Sequence, residues 1–174
     1  MDHLYAVRVK EIRAYLKTQD ALFWLINIYL FMEYVRPQTL YPSIDVFPIV
    51  KSLLYLTMGV FLLRHKSPLV KNPLNKLLFL FFLVILLSSV FALAPEVAFE
   101  KVPVFIVWMV IYFLIINIIN TEQRFFVFIL AFLLYSFKMA QYSFFHWVAS
   151  GFSFDPIGSG GGPGWFHNSG EFGI

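Results

Sequence analysis

Apolar residues gather along this chain into blocks of about 20, the length that crosses the hydrocarbon core of a bilayer as helix. Short polar stretches separate the blocks. Five spans follow from the pattern, at 19–35, 44–63, 76–94, 102–119 and 125–149. Pro37, Pro42, Pro73, Pro95 and Pro103 fall at or near the breaks, where residues that stop helices belong. Pro48 lies one turn inside the second span, a position helices tolerate. Ahead of the first span, Tyr5, Val9, Ile12 and Leu16 share one helical face. Arg8, Lys10, Arg13 and Lys17 project away from it, the pattern of an amphipathic helix lying in the membrane interface. The strict alternation over ~10-residue segments that marks a membrane β-barrel does not occur. The predicted class is all-α, a polytopic integral membrane protein. It divides into an amphipathic segment (1–18), a five-helix transmembrane region (19–149) and a glycine-rich stretch leading to a sixth helix (150–174).

Composition agrees and removes other classes. Of 174 residues, 60% are hydrophobic and 13% charged, whereas soluble domains carry roughly 25% charged residues. There are no cysteines, so neither a disulfide framework nor a thiolate metal site is proposed. The first apolar run starts only near Ala21 and no small-x-small cleavage pattern follows it, which argues against a removed signal peptide. The net charge of +3 is small, and its placement carries more information. Arg8, Lys10, Arg13 and Lys17 precede the first span; Arg64, Lys66, Lys71 and Lys76 lie between the second and third. The remaining connections hold single basic residues, Arg36, Lys101 and Arg124, and the stretch after the fifth span has none. Because basic residues stay on the cytoplasmic side, the amino terminus is expected there and the glycine-rich stretch on the opposite face.

Ionisable groups inside a span cost a few kcal/mol each on insertion scales. Lys138 lies near the middle of the fifth predicted span. Tyr135, Lys138, Gln141, Tyr142 and His146 occupy one face about 140° wide at 100° per residue. That stripe either lines a wet interior or hydrogen-bonds a neighbouring helix. Arg36, Lys51 and His146 fall in the same outer half of their spans as Lys138. Each has a plain explanation: Arg36 pairs with Glu33 one turn away, Lys51 snorkels outward past Asp45, His146 is an interfacial histidine. Together the four point to an outward-facing site for an anion. The anion most naturally held partly within a membrane is a lipid phosphate or diphosphate.

The chain closes on "GSGGGPGWFHNSGEFGI". Its glycines leave backbone N–H groups uncovered, although no Gly-Lys-Ser/Thr follows to make a P-loop. Asn168 and Glu171 have capping-box spacing for a sixth helix, whose N-terminus would aim free N–H groups at the outer surface. Trp165 and Phe166 suit headgroup level. A helix that has its cap and no body is expected to be the front part of a longer protein.

Three stretches, "EYVRPQTLYPSIDVFPI", "FKMAQYSFFHW" and "GPGWFHNSGEFGI", carry a resemblance. So do Tyr34, Val35, Arg36 and Pro37 together, and the spacing of Gly164, Phe166, Asn168 and Glu171. The chain resembles the amino-terminal part of the O-antigen ligase/polymerase-like family of bacterial inner-membrane glycosyltransferases. The resemblance implies transfer of a glycan from undecaprenyl diphosphate to an acceptor hydroxyl at the periplasmic face, in the biosynthesis of surface polysaccharide. The acceptor it implies is lipid A-core, a growing polysaccharide or a protein. It implies no nucleotide sugar, no metal, no other cofactor and no nucleic-acid partner. A basic residue accepts the hydroxyl proton in such enzymes, and arginines hold the diphosphate, whose growing charge fixed cations stabilise in a water-poor site. Those principal groups lie further along in the family, so the base is not assigned to His146 or His167, and the chain by itself is expected to be inactive. The donor pocket is expected to involve Arg36, Lys51, Lys138, Gln141, His146, Gly164, His167, Asn168 and Glu171. Two other classes stay open: part of a transporter or channel for a polar or anionic substrate, whose midplane polar groups line a pathway, and a non-catalytic membrane scaffold.

Overall fold

A computed structural model describes residues 9–37, 48–64 and 69–153, apart from the side chains of Tyr142, Ser143 and His146. Among them are seven helices and no strand. They are α1 (Val9–Lys17), α2 (Ala21–Tyr34), α3 (Ile49–Arg64), α4 (Pro73–Val90), α5 (Pro95–Phe99), α6 (Val102–Ile118) and α7 (Glu122–Ala149).

Local chemistry sets the boundaries. Asp20 caps α2 by accepting from the Phe23 N–H at 3.0 Å, and Asn72 caps α4 in front of Pro73, accepting from the Leu74 N–H. α2 stops where the Val35 N–H closes on the Phe31 carbonyl. Arg36 then turns into the left-handed region at φ 46 before Pro37, the position of a helix stop that glycine usually fills. Thr57, Ser89 and Asn27 are buried and donate to carbonyls four residues back in their own helices, which satisfies them without outside partners.

Among the described residues, three helical stretches are long and apolar enough to cross a membrane: Pro73–Val90, Pro95–Ile118 and Glu122–Gln141. The five expected spans are therefore matched by helices in each region, but the first two fall short. At about 1.5 Å per residue, the 14 residues of α2 rise only about 21 Å and the 16 of α3 about 24 Å, against a ~30 Å core. The shortfall in α2 comes from its stop at Arg36, and α3 begins only after Pro48. The fourth expected span gains a short preceding helix, α5. The capping box at Asn168 and Glu171, with the sixth helix it announces, lies outside the described residues, as do Tyr5 and Arg8 of the amphipathic segment.

The core forms where α2, α3, α6 and α7 meet, around Phe23, Ile26, Leu54, Phe61, Leu114, Ile118 and Val127. α1 adds Tyr15 and Leu16 to this cluster while Lys10, Arg13 and Lys17 stay exposed, so its apolar side packs on the bundle. α4 touches the rest mainly through α5 and α6, with Phe81 edge-on to Phe105 and Phe82 stacked on it. Leu77, Leu80, Phe81, Val84 and Leu87 remain exposed along it, a surface suited to acyl chains. Apolar association gains little between helices already in lipid, so packing and interhelical hydrogen bonds hold such a bundle.

Candidate functional site at the far end of the bundle

Two sets of contacts define the direction of each helix. Arg124, at the start of α7, reaches Gln19 and Asp20 at the start of α2, and Tyr34 at the end of α2 meets Ser136 on α7. α2 and α7 therefore run parallel. Arg64, at the end of α3, shares a cavity with Gln19 and Asp20, so α3 runs antiparallel to α2. The end carrying α1, Asp20, Arg64 and Arg124 is termed the near end; Arg36 marks the far end.

The far end brings three predicted cations to one end of the bundle. Arg36 follows Tyr34 by two residues; Lys138 follows Ser136 by two. The Tyr34 hydroxyl lies 3.3 Å from Ser136 Oγ, and Ser136 spends its own proton on the Phe132 carbonyl at 3.0 Å, so tyrosine is the donor. Phe31 packs edge-on against Tyr135 at 5.3 Å and Tyr34 against Phe132 at 5.1 Å. This register sets Arg36 and Lys138 at the same height. Lys51, in the first turn of antiparallel α3, belongs to the same end. Arg36 is held by Glu33 twice: Nη2 donates to Oε1 at 2.9 Å and Nε to the carbonyl at 3.2 Å. Lys51 and Lys138 are exposed and Gln141 is half-buried.

The stripe on α7 divides. Tyr135 packs on α2, Met139 is buried, and Lys138 turns outward between exposed Leu134 and Phe145. Lys138 is level with the far end of α2 yet still near the middle of α7, which begins at Glu122 and runs 28 residues. At ~1.5 Å per residue it rises about 42 Å, twice the height of α2. The His146 side chain and residues Gly164, His167, Asn168 and Glu171 lie outside what the structure describes.

Sequence reasoning missed the polar network at the near end. Arg124 Nη1 donates to the Ile118 carbonyl at 2.9 Å, Nε to Gln19 Oε1 at 3.0 Å, and Nη2 pairs with Asp20 at 3.1 Å. Its guanidinium also lies 5.6 Å from the Phe23 ring centre. Asn117, 2% exposed, accepts from the Val70 N–H at 2.9 Å and donates to the Phe113 carbonyl at 2.8 Å. Tyr112 donates to Asn75 Oδ1 at 3.0 Å. The available signal was an asparagine within the apolar run "LIINIIN". Among the described residues no group of His, Asp and Glu is placed to hold a metal ion. No protein-family model, no curated protein and no solved structure matches this chain.

Proposed function

We propose that the chain supplies donor-holding helices of a membrane glycosyltransferase. In this reading a glycan moves from undecaprenyl diphosphate to an acceptor hydroxyl, of lipid or polysaccharide, at the periplasmic face of a bacterial inner membrane, as the resemblance to O-antigen ligases and polymerases implies. The near end lies in the cytoplasm with the amino terminus, all five predicted spans cross, and the glycine-rich stretch emerges on the periplasmic side before a sixth helix.

One observation carries the reading. α2 and α3 fall roughly 6–9 Å short of the bilayer core, yet Arg36, Lys51 and Lys138 sit at or beside their far ends. Measured from the near-end latch, the contacts of Arg124 with Ile118, Gln19 and Asp20, those cations lie below the far headgroup plane, where unbalanced charge is costly. A diphosphate on a lipid carrier enters at that depth without leaving its acyl environment, and α7 stands beside it as a wall. Glu33 orients the Arg36 guanidinium at the rim of this recess.

The test is donor binding by the chain in nanodiscs, using an undecaprenyl diphosphate-linked oligosaccharide. Micromolar binding is expected, at least tenfold weaker in the double variant Arg36→Gln, Lys138→Gln. Equal binding by both proteins would sink the assignment of these residues. Reporter fusions at Gly160 are expected to report the periplasm; a cytoplasmic readout overturns the orientation.

A further inference from the structure

The near end holds a cavity of about 510 Å³, remote from the proposed donor recess. Its lining includes Arg64, Arg124, Asn120, Thr121 and Gln123. Arg124 is engaged by Asp20, the one carboxylate in the lining. Arg64 is exposed and has no hydrogen-bond or ion-pair partner among the described residues. The lining therefore carries one net positive charge. Around it are neutral donors in waiting. Thr121 Oγ1 accepts from the Arg124 N–H at 3.3 Å, which leaves its own proton to give. The Asn120 and Gln123 amides make no hydrogen bond among the described residues.

From the structure we infer that this cavity binds the phosphodiester headgroup of an anionic phospholipid in the leaflet at the near end. A phosphodiester carries a single charge, matching the single excess cation, whereas inorganic phosphate near neutrality is divided between its singly and doubly charged forms. Arg64 offers the planar fork of donors that suits phosphate oxygens. The cavity also opens onto a place for the acyl chains: Phe125, Ile129 and Leu133 follow Thr121 at four-residue spacing along one face of α7, and all three are exposed. The exposed Lys10, Arg13 and Lys17 of α1 add attraction toward an anionic surface. The inference needs the bundle to sit in a membrane with this end at an interface; it does not need glycan transfer.

Native mass spectrometry of the delipidated chain tests it, with phosphatidylglycerol and phosphatidylcholine offered at equal concentration. One tightly held phosphatidylglycerol is expected, with Arg64→Gln weakening it about tenfold, the loss of one charge-assisted hydrogen bond. Lys101→Gln, exposed ahead of α6 at the far end and outside both proposed sites, is expected to leave retention unchanged. Glycerophosphoglycerol and inorganic phosphate are added as soluble competitors, and neither is expected to displace the lipid at millimolar concentration. Full displacement by either would assign the cavity to a free phosphate compound and overturn the lipid. Equal retention of the two phospholipids, or retention unmoved by Arg64→Gln, overturns the site altogether.

Discussion

Arg124→Gln is expected to be the most damaging single polar substitution in the bundle. The arginine ties three segments together: the carbonyl end of α6, Gln19 ahead of α2, and the Asp20 cap. Hydrogen bonds from a charged donor are worth about 1.5–3 kcal/mol each when buried, but the arginine side chain retains 20% exposure and glutamine recovers part of one bond. The Asp20 pair adds little, since that carboxylate is 52% exposed and exposed pairs contribute about 0–1 kcal/mol. The Phe23 ring contributes roughly 0.5–1 kcal/mol through its π-face. These terms overlap, and a loss of about 3 kcal/mol is the expected sum. Asp20→Asn should lose under ~1 kcal/mol, because asparagine caps a helix as well as aspartate does. The assay is reversible unfolding in mixed micelles titrated with dodecyl sulfate and followed by circular dichroism. If the two variants lost similar amounts, the latch would owe its strength to the Asp20 ion pair, and the reasoning from the carbonyl and amide partners would be refuted.

Three further outcomes follow from named contacts. Tyr34→Phe removes the hydroxyl that donates to Ser136 and is expected to cost about 0.5–1.5 kcal/mol in the same titration; no loss would show that the contact contributes nothing to the pairing of α2 with α7. Asn117→Leu strands the Val70 N–H and is expected to cost about 1–3 kcal/mol in the same titration. At Arg36, where φ is 46, glycine should be more stable than alanine by about 1 kcal/mol, although both lose the contact with Glu33; an alanine variant equal to glycine would show that the turn relaxes.

How much of this was legible in the sequence depends on which interaction decided each element. α4, α6 and α7 were plain, because a run of apolar residues needs only its own composition to become a long helix. The level of Lys138 relative to α2 was hidden for a tertiary reason: it is fixed by Tyr34 meeting Ser136, and no local pattern encodes which turn of α7 lies beside α2. Arg36 was legible as a cation next to Pro37, but its left-handed backbone, which shortens α2, was not. Arg124 read as an ordinary loop residue because its side-chain partners, Gln19 and Asp20, lie over a hundred positions away. Periodicity finds faces, and long-range hydrogen bonds choose heights.

The pairing of α2 with α7 joins residues 102 and 105 positions apart, and this governs the order of assembly. At synthesis rates of about 5–20 residues per second, α2 waits roughly 5–20 s for its neighbour to be made. Throughout that interval the side of α2 bearing Phe31 and Tyr34 lacks α7 against it, and Asp20 has its cap but no guanidinium. α2 and α3 are thus the first hairpin to mature, and α7 is the closing piece, sealing Val127 into the interior when it arrives. Slowing translation just before Glu122 should lengthen the life of that open hairpin, the stage at which a quality-control protease would find it.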